Sequence, residues 1–75
     1  MQEDSKELSI LGKRIKDLRK ERKLTLENLC YKNNLEPSTL SRIETGSVEA
    51  KYLTLVKIAK AFKMKLKDLL DFDNK

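Results

Sequence analysis

The chain is poor in the residues from which metal sites, disulfides and hydrolase active sites are built. Its 75 residues include no histidine and a single cysteine, Cys30. One cysteine cannot form an internal disulfide, and without histidine neither a zinc cluster of the usual kind nor a serine–histidine–aspartate triad is complete. We therefore expect no enzyme, no metal and no cofactor. Cys30 is predicted to be a small buried apolar residue.

Long apolar runs are missing as well. The longest is only a few residues, and the N-terminal sequence MQEDSKELS has neither the basic start nor the apolar stretch of a signal peptide. A free thiol also fits a reducing compartment. These absences predict a soluble cytoplasmic protein without a membrane partner, and no feature indicates a small-molecule ligand.

Proline and glycine are rare, with Pro37, Gly12 and Gly46 the only examples. No strand-like alternation of useful length occurs, so the sequence predicts a single all-α domain, residues 1–75, with short polar ends at 1–6 and 73–75. The expected helices cover about residues 7–21, 25–32, 37–45 and 51–62. A short fifth helix follows and contains Leu66, Leu69, Leu70 and Phe72.

These helix assignments rest on apolar residues at spacings of three and four, which place them on one face of a helix. In the first helix the stripe consists of Leu8, Leu11, Ile15 and Leu18. In the fourth helix the residues expected to be buried are Tyr52, Leu55, Ala59 and Phe62, with Val56 and Ile58 widening the stripe.

Residues 25–46, TLENLCYKNNLEPSTLSRIETG, are typical of two short helices joined by a polar turn. Thr25 supplies an N-cap hydroxyl, and the asparagines at 33 and 34 tolerate the left-handed conformation of a tight turn. Pro37 stands at the first position of the second helix and Gly46 just past its end. Helices this short are marginal alone, so they must share a core with the rest of the chain.

The charge is distributed unevenly. The net charge is +5, but residues 1–7 and 68–75 each carry −2, which leaves +9 on residues 8–67. A basic body of this size attracts a polyanion, because each lysine or arginine that meets a phosphate releases condensed counterions. Nucleic acid is therefore the partner that the charge favours.

Several segments together resemble the Cro/C1-type helix-turn-helix regulators, also called the xenobiotic-response-element type. The likeness covers residues 11–70 and rests on LRKERKLT before the motif, Leu29 and Cys30 at the family's usual Leu-Ala pair, RIETG, and TLVKIAKAF followed by LKDLL. The resemblance implies a compact five-helix bundle of the lambda-repressor-like DNA-binding type. It also implies that the third helix enters the major groove through residues 37–42.

The third helix is therefore expected to read the bases. Leu40 and Ile43 must point inward, which leaves polar side chains on the outer arc. Arg42 can donate two hydrogen bonds to guanine O6 and N7, and Thr39 offers a hydroxyl together with a methyl that can touch thymine. The predicted base-contacting residues are Pro37, Ser38, Thr39 and Arg42.

Contacts to the DNA backbone are expected from groups around that helix, since they hold the register while carrying little sequence information. Thr25 begins the second helix, where free N–H groups and the helix dipole favour an anion. By resemblance, Thr45 and Ser47 match positions that meet phosphate in relatives. The predicted phosphate-contacting residues are Thr25, Arg14, Lys32, Ser41, Thr45 and Ser47.

The resemblance also implies a structural ion pair between Arg19 and Glu44, which would join the first helix to the third and orient it. Other positions depart from the family pattern. Leu26 replaces a glutamine that commonly reaches DNA, Pro37 replaces a polar residue that often reads bases, and Asn34 stands at a common glycine. The operator sequence therefore cannot be taken from relatives.

The function that these features favour is a bacterial or phage transcriptional regulator, associated with the nucleoid, that binds a palindromic operator as a homodimer. Two half-sites about 34 Å apart give a specificity that one helix lacks. The predicted dimer interface consists of Leu53, Leu66, Leu70 and Phe72, and burial of each in the monomer core is an equal alternative. The one-domain form also resembles the controller proteins of restriction-modification systems. The alternative function is a protein-binding module such as an antitoxin, with weak or secondary DNA binding.

Overall fold

The computed structural model describes residues 2–72, with the side chains of residues 6–72. In this range the chain forms five α-helices: α1 Gln2–Glu21, α2 Leu26–Tyr31, α3 Pro37–Glu44, α4 Tyr52–Ala61 and α5 Leu66–Leu69. The described part of the chain contains no β-strand, and none of its helices is long and apolar enough to cross a membrane. The predicted all-α fold class with five helices is confirmed.

The start of α1 differs from the sequence prediction. α1 begins at Gln2, five residues before the expected start, so the supposed polar end at 1–6 is helical from residue 2 onward. The apolar stripe marks the part of the helix that meets the core, where Leu11 packs against the buried Ile15 and Leu18, and not the extent of the helix. The other polar end, 73–75, lies outside the described residues.

The remaining helices begin and end within one residue of the prediction, except for α5. This helix ends at Leu69, so Leu70 and Phe72 follow it instead of belonging to it. Leu70 is the C-cap, and its N–H donates to the carbonyl of Leu66 at 3.0 Å.

All five helices contribute to one apolar core. Its side chains are at most 6 % exposed and are Ile15, Leu18, Leu29, Cys30, Leu40, Ile43, Ile58, Ala59, Phe62 and Leu69. The prediction that Tyr52 is buried is wrong, because its side chain is 68 % exposed. Tyr52 is the first residue of α4, and Leu55 one turn later is only half-buried, so the core ends before it reaches Tyr52. Ile58, expected at the edge of the stripe, is fully buried.

Each of the first four helices is followed by a residue with positive φ. These residues and their φ angles are Lys23 (57°), Asn34 (56°), Gly46 (77°) and Lys63 (59°). The left-handed residue turns the chain back, so that the N–H after it reaches a carbonyl of the last turn, as Ser47 N reaches Arg42 O at 2.9 Å. Asn34 can occupy the position of the family's glycine because asparagine tolerates this conformation.

Gly12 allows α1 to approach α3 closely. A Cβ at this position would lie 2.4 Å from the carbonyl oxygens of both Ile43 and Glu44. Only a residue without a side chain lets the backbone of α1 lie against the last turn of α3. The C-terminal end of α3 is therefore supported by α1.

Candidate nucleic-acid interface

The helix α3 separates a buried face from an exposed one. Leu40 and Ile43 are each 2 % exposed and belong to the core. Ser41 is half-buried, whereas the four residues predicted to contact bases are all exposed, namely Pro37, Ser38, Thr39 and Arg42. Pro37 occupies the first turn, where its missing N–H leaves no helical hydrogen bond unmade. The outer face of α3 is therefore available to a ligand.

Two hydroxyl groups meet just after α3. Thr45 is the C-cap of this helix, and its Oγ1 donates to the carbonyl of Arg42 at 3.0 Å. The Oγ atoms of Thr45 and Ser47 are 2.8 Å apart, and both residues are exposed. Because the hydrogen of Thr45 is engaged at Arg42, Ser47 donates to Thr45 in this arrangement. The pair can turn outward to an anion by rotation of the two hydroxyls.

The residues at the two ends of α2 are exposed. Thr25 is the N-cap with extended backbone, and its Oγ1 accepts a hydrogen bond from Asn28 N at 3.0 Å. Lys32 is the C-cap at the opposite end and is also exposed. Leu26 lies partly buried against the core, so its side chain serves packing.

Arg19 and Glu44 form a two-pronged ion pair that ties α1 to the end of α3. Nε of Arg19 donates to Oε2 at 2.8 Å and Nη2 donates to Oε1 at 3.1 Å. Nη1 donates to the carbonyl of Leu24 at 2.7 Å, so three donors of the guanidinium are engaged. The hydrogen bonds to Glu44 raise the pKa of Arg19. Since the two side chains are 12 % and 5 % exposed, neither reaches outward from the bundle.

Comparison with known protein families matches residues 12–73 to the family described as the helix-turn-helix domain. The chain belongs to this helix-turn-helix family. The match confirms the resemblance to the Cro/C1-type regulators, whose members bind DNA and are not enzymes.

Two solved structures share the fold of this helix-turn-helix protein. The restriction-modification controller protein C.AhdI from Aeromonas hydrophila has a TM-score of 0.80 and 25 % identity, with 84 % of this chain and 96 % of that chain covered. A transcriptional regulator of the HTH_3 family from Vibrio cholerae has a TM-score of 0.85 and 27 % identity, with 95 % of this chain covered. The present chain spans 40 % of the length of that regulator. Comparison with curated protein sequences gives no match.

In this helix-turn-helix protein the guanidinium of Arg14, which was predicted to contact phosphate, is hydrogen-bonded within the chain. Its Nε donates to the carbonyl of Leu69 at 3.0 Å, and its Nη2 donates to the carbonyl of Asp68 at 2.9 Å. These bonds direct the guanidinium to the end of α5 and not to α3. Sequence reasoning had no means to detect this, because backbone acceptors carry no sequence signature.

The helix-turn-helix domain also exposes several large apolar side chains away from α3. At the start of α4, Tyr52 and Leu53 are 68 % and 70 % exposed, and after α5 Leu70 is 43 % exposed. Leu66 and Phe72 are half-buried. The sequence prediction placed Tyr52 in the core, although the adjacent apolar residue Leu53 indicates that the two cannot both be buried there. Consecutive helical residues point about 100° apart, so both cannot face the same narrow core.

Proposed function

We propose that this helix-turn-helix protein is a transcriptional regulator that binds a two-fold DNA operator as a homodimer, with α3 in the major groove. The observation that carries the proposal is the division of α3. Leu40 and Ile43, each 2 % exposed, hold it in the core, while Ser38, Thr39 and Arg42 are exposed on its outer side. Hydroxyls and a guanidinium are groups that read base edges.

Arg42 is the residue to which we assign most of the base discrimination. It is the only basic residue between positions 33 and 50, where Glu36 and Glu49 add negative charge. General attraction to phosphate is therefore weak along this segment, and affinity depends on directed contacts. A pair of hydrogen bonds from Arg42 to guanine would contribute about 1–3 kcal/mol of discrimination.

Phosphate contacts are assigned to groups on either side of that helix. Thr45 and Ser47 support this role, because their exposed hydroxyls lie within 2.8 Å of each other. Thr25, Lys32 and Ser41 complete the proposed set. We leave Arg14 out of it, because its guanidinium already donates to two carbonyls at the end of α5.

The homodimer is proposed because one α3 reads too few base pairs for high specificity. A two-fold interface uses the same patch on both copies, so the patch must be self-complementary. Tyr52, Leu53 and Leu70 offer exposed apolar surface, with Leu66 and Phe72 beside Leu70 in the chain. Lys67 and Asp71, both exposed, provide opposite charges on the same segment, which makes this segment electrostatically self-complementary.

A role in controlling a restriction-modification system in a bacterial or phage-infected cytoplasm is part of the proposal. It is supported by C.AhdI, a restriction-modification controller protein, 96 % of whose length is covered by this chain. Such a regulator would respond to its own concentration through dimerisation and operator occupancy.

A protein-binding role is the second candidate. It is favoured by Leu26, which packs against the core, and by Pro37, which has no donor to offer to a base. On this hypothesis the chain is a protein-binding module such as an antitoxin, and it binds DNA no more tightly than by nonspecific attraction.

Selection of bound fragments from random and genomic DNA at physiological salt distinguishes the two candidates. We expect an enriched palindrome, and Arg42→Ala should lose preference at particular base positions. Lys32→Ala should lower affinity equally for all DNA sequences and reduce the slope of log affinity against log salt concentration by about one, the value for one phosphate contact. Lys57→Ala removes a similar charge on α4 and is the matched control. Absence of any enriched site in the wild-type selection would contradict the proposal and favour the protein-binding role.

A further inference from the structure

The end of α5 is capped by a side chain from another helix. Helix carbonyls in the last turn have no partner within the helix. In α5 the carbonyl of Leu69 accepts from Arg14 Nε at 3.0 Å, and that of Asp68 accepts from Nη2 at 2.9 Å. The guanidinium of α1 thus grips two successive peptide groups that lie more than fifty positions further along the chain.

The helix α5 depends on contacts of this kind. It has four residues, so it cannot persist through its own hydrogen bonds. Leu69 anchors it in the core with 0 % exposure. Among the described residues, no side chain other than Arg14 joins α5 to another helix by a hydrogen bond. Leu69 and the half-buried Leu66 hold α5 against the core. Because apolar contacts are non-directional, the directional bonds of Arg14 fix the rotation of α5 more narrowly.

The position of Leu70 follows from these bonds. The carbonyl of Leu69 belongs to the planar peptide group that links Leu69 to Leu70. Holding that oxygen holds the plane, and with it the direction in which the Leu70 side chain leaves the backbone. Leu70 is 43 % exposed beside the half-buried Leu66 and Phe72.

We propose that Arg14 is a positioning residue for the homodimer, which orients the exposed Leu70 side chain at the end of α5 toward a second copy of this chain. The inference rests on the homodimer of the proposed function. It means that loss of Arg14 weakens operator binding through the monomer–dimer equilibrium and not through a missing phosphate contact.

The two explanations predict different dependence on protein concentration. Consider an operator that binds only the dimer, at concentrations where most of the protein is monomeric. The monomer concentration at which the operator is half-occupied then varies as the square root of the dimer dissociation constant. A tenfold weaker dimer therefore raises half-occupancy by about threefold at low concentration and leaves the affinity of preformed dimer unchanged. A lost phosphate contact lowers affinity at every concentration and reduces the salt slope by about one.

The test compares Arg14→Met with Lys13→Met in the full chain. Arg14→Met keeps an apolar stem and removes both donors. Lys13→Met removes the same charge at the neighbouring position, where the ammonium pairs with the exposed Asp17 at 2.8 Å. The dimer dissociation constant is measured by sedimentation equilibrium, and thermal unfolding is measured at a concentration where every variant is monomeric. Binding to a duplex carrying the selected site is titrated at several salt concentrations.

For Arg14→Met we expect a folded monomer, a dimer dissociation constant raised about tenfold or more, and an unchanged salt slope for preformed dimer. Lys13→Met should dimerise like the wild type. If Arg14→Met does not fold, Arg14→Lys decides, because an ammonium lacks the planar fork and should weaken the dimer several-fold, by roughly one lost hydrogen bond.

Two results overturn the inference alone. One is that the wild type dimerises and the Arg14 variants have the same dimer dissociation constant, even if their melting temperatures are lower. The other is a loss of affinity at dimer-saturating concentration with a reduced salt slope. A wild type that stays monomeric at all concentrations refutes the proposed homodimer itself, and the inference with it. If the protein dimerises but selects no DNA site, operator binding is refuted. The role of Arg14 is then still decided by the dimer dissociation constants of the variants.

Discussion

Truncating either partner of the Arg19–Glu44 ion pair should destabilise the domain strongly. The guanidinium donates to the two carboxylate oxygens at 2.8 and 3.1 Å, and the side chains are 12 % and 5 % exposed. Breaking a buried pair by removing one partner costs about 3–5 kcal/mol, because the other charge is left without a partner. The free energy of unfolding of a domain of this length is about 4–11 kcal/mol, so each single variant should be marginally stable.

The two single variants should differ. Without Arg19, the buried carboxylate of Glu44 loses both donors, and the carbonyl of Leu24 loses its hydrogen bond of 2.7 Å. Without Glu44, the more exposed guanidinium keeps its bond to Leu24. We expect a loss of about 4 kcal/mol for Arg19→Ala and about 3 kcal/mol for Glu44→Ala.

The double variant measures the coupling between the two residues. It should lose about 5 kcal/mol, because the second truncation removes the charge that the first left unpaired, so the coupling is roughly 2 kcal/mol. Urea unfolding followed by circular dichroism at one protein concentration gives the four free energies. The exposed Lys13–Asp17 pair, with side chains 76 % and 50 % exposed, is the control and should couple by less than about 0.5 kcal/mol. Coupling in the buried pair no larger than in this control would refute the reasoning.

Three further changes test contacts elsewhere in the fold. Gly12→Ala should lower the free energy of unfolding by about 2 kcal/mol despite the better helix propensity of alanine, because its Cβ would lie 2.4 Å from two carbonyl oxygens of α3. Urea unfolding checks this, with Lys16→Ala on the exposed side of α1 expected to stay within about 0.5 kcal/mol of wild type. Thr25→Ala should cost about 1 kcal/mol in the same assay by loss of the N-cap, whereas Thr25→Ser should keep it. Burial raises the pKa of the Cys30 thiol above its unfolded value, so the folded state keeps the thiol proton to a higher pH than the unfolded state does. Its contribution to stability is therefore constant below about pH 8.5 and falls as the pH rises through the folded pKa. Unfolding curves against pH should fall less steeply for Cys30→Ala, and equal slopes would contradict the assignment.

Much of the candidate interface is predictable because its signals are local. Pro37 and Gly46 mark the two ends of α3, and the spacing of Leu40 and Ile43 defines its buried face. Thr25 was recognisable as an N-cap, since a hydroxyl before a helix has one common use. The roles of the exposed side chains on DNA stay predictions.

The features that the sequence did not reveal concern residues whose environment is set by distant parts of the chain. Arg14 looks like any cation on the polar side of an amphipathic helix, and its acceptors are backbone carbonyls of Asp68 and Leu69. Tyr52 has the spacing of a core residue, yet the core stops one turn short of it. The early start of α1 was hidden because its first turns carry no apolar stripe.

Helix type, the ends of α2, α3 and α4 and the outward face of α3 follow from rules that operate within a few residues, namely apolar period, capping and the special dihedral angles of proline and glycine. The partner of Arg14, the close approach at Gly12 and the exposure of Tyr52 required the folded chain. Hydrogen-bond acceptors on the backbone are alike at every position, and the boundary of a core depends on which helices meet there. Neither property is written in the order of neighbouring side chains.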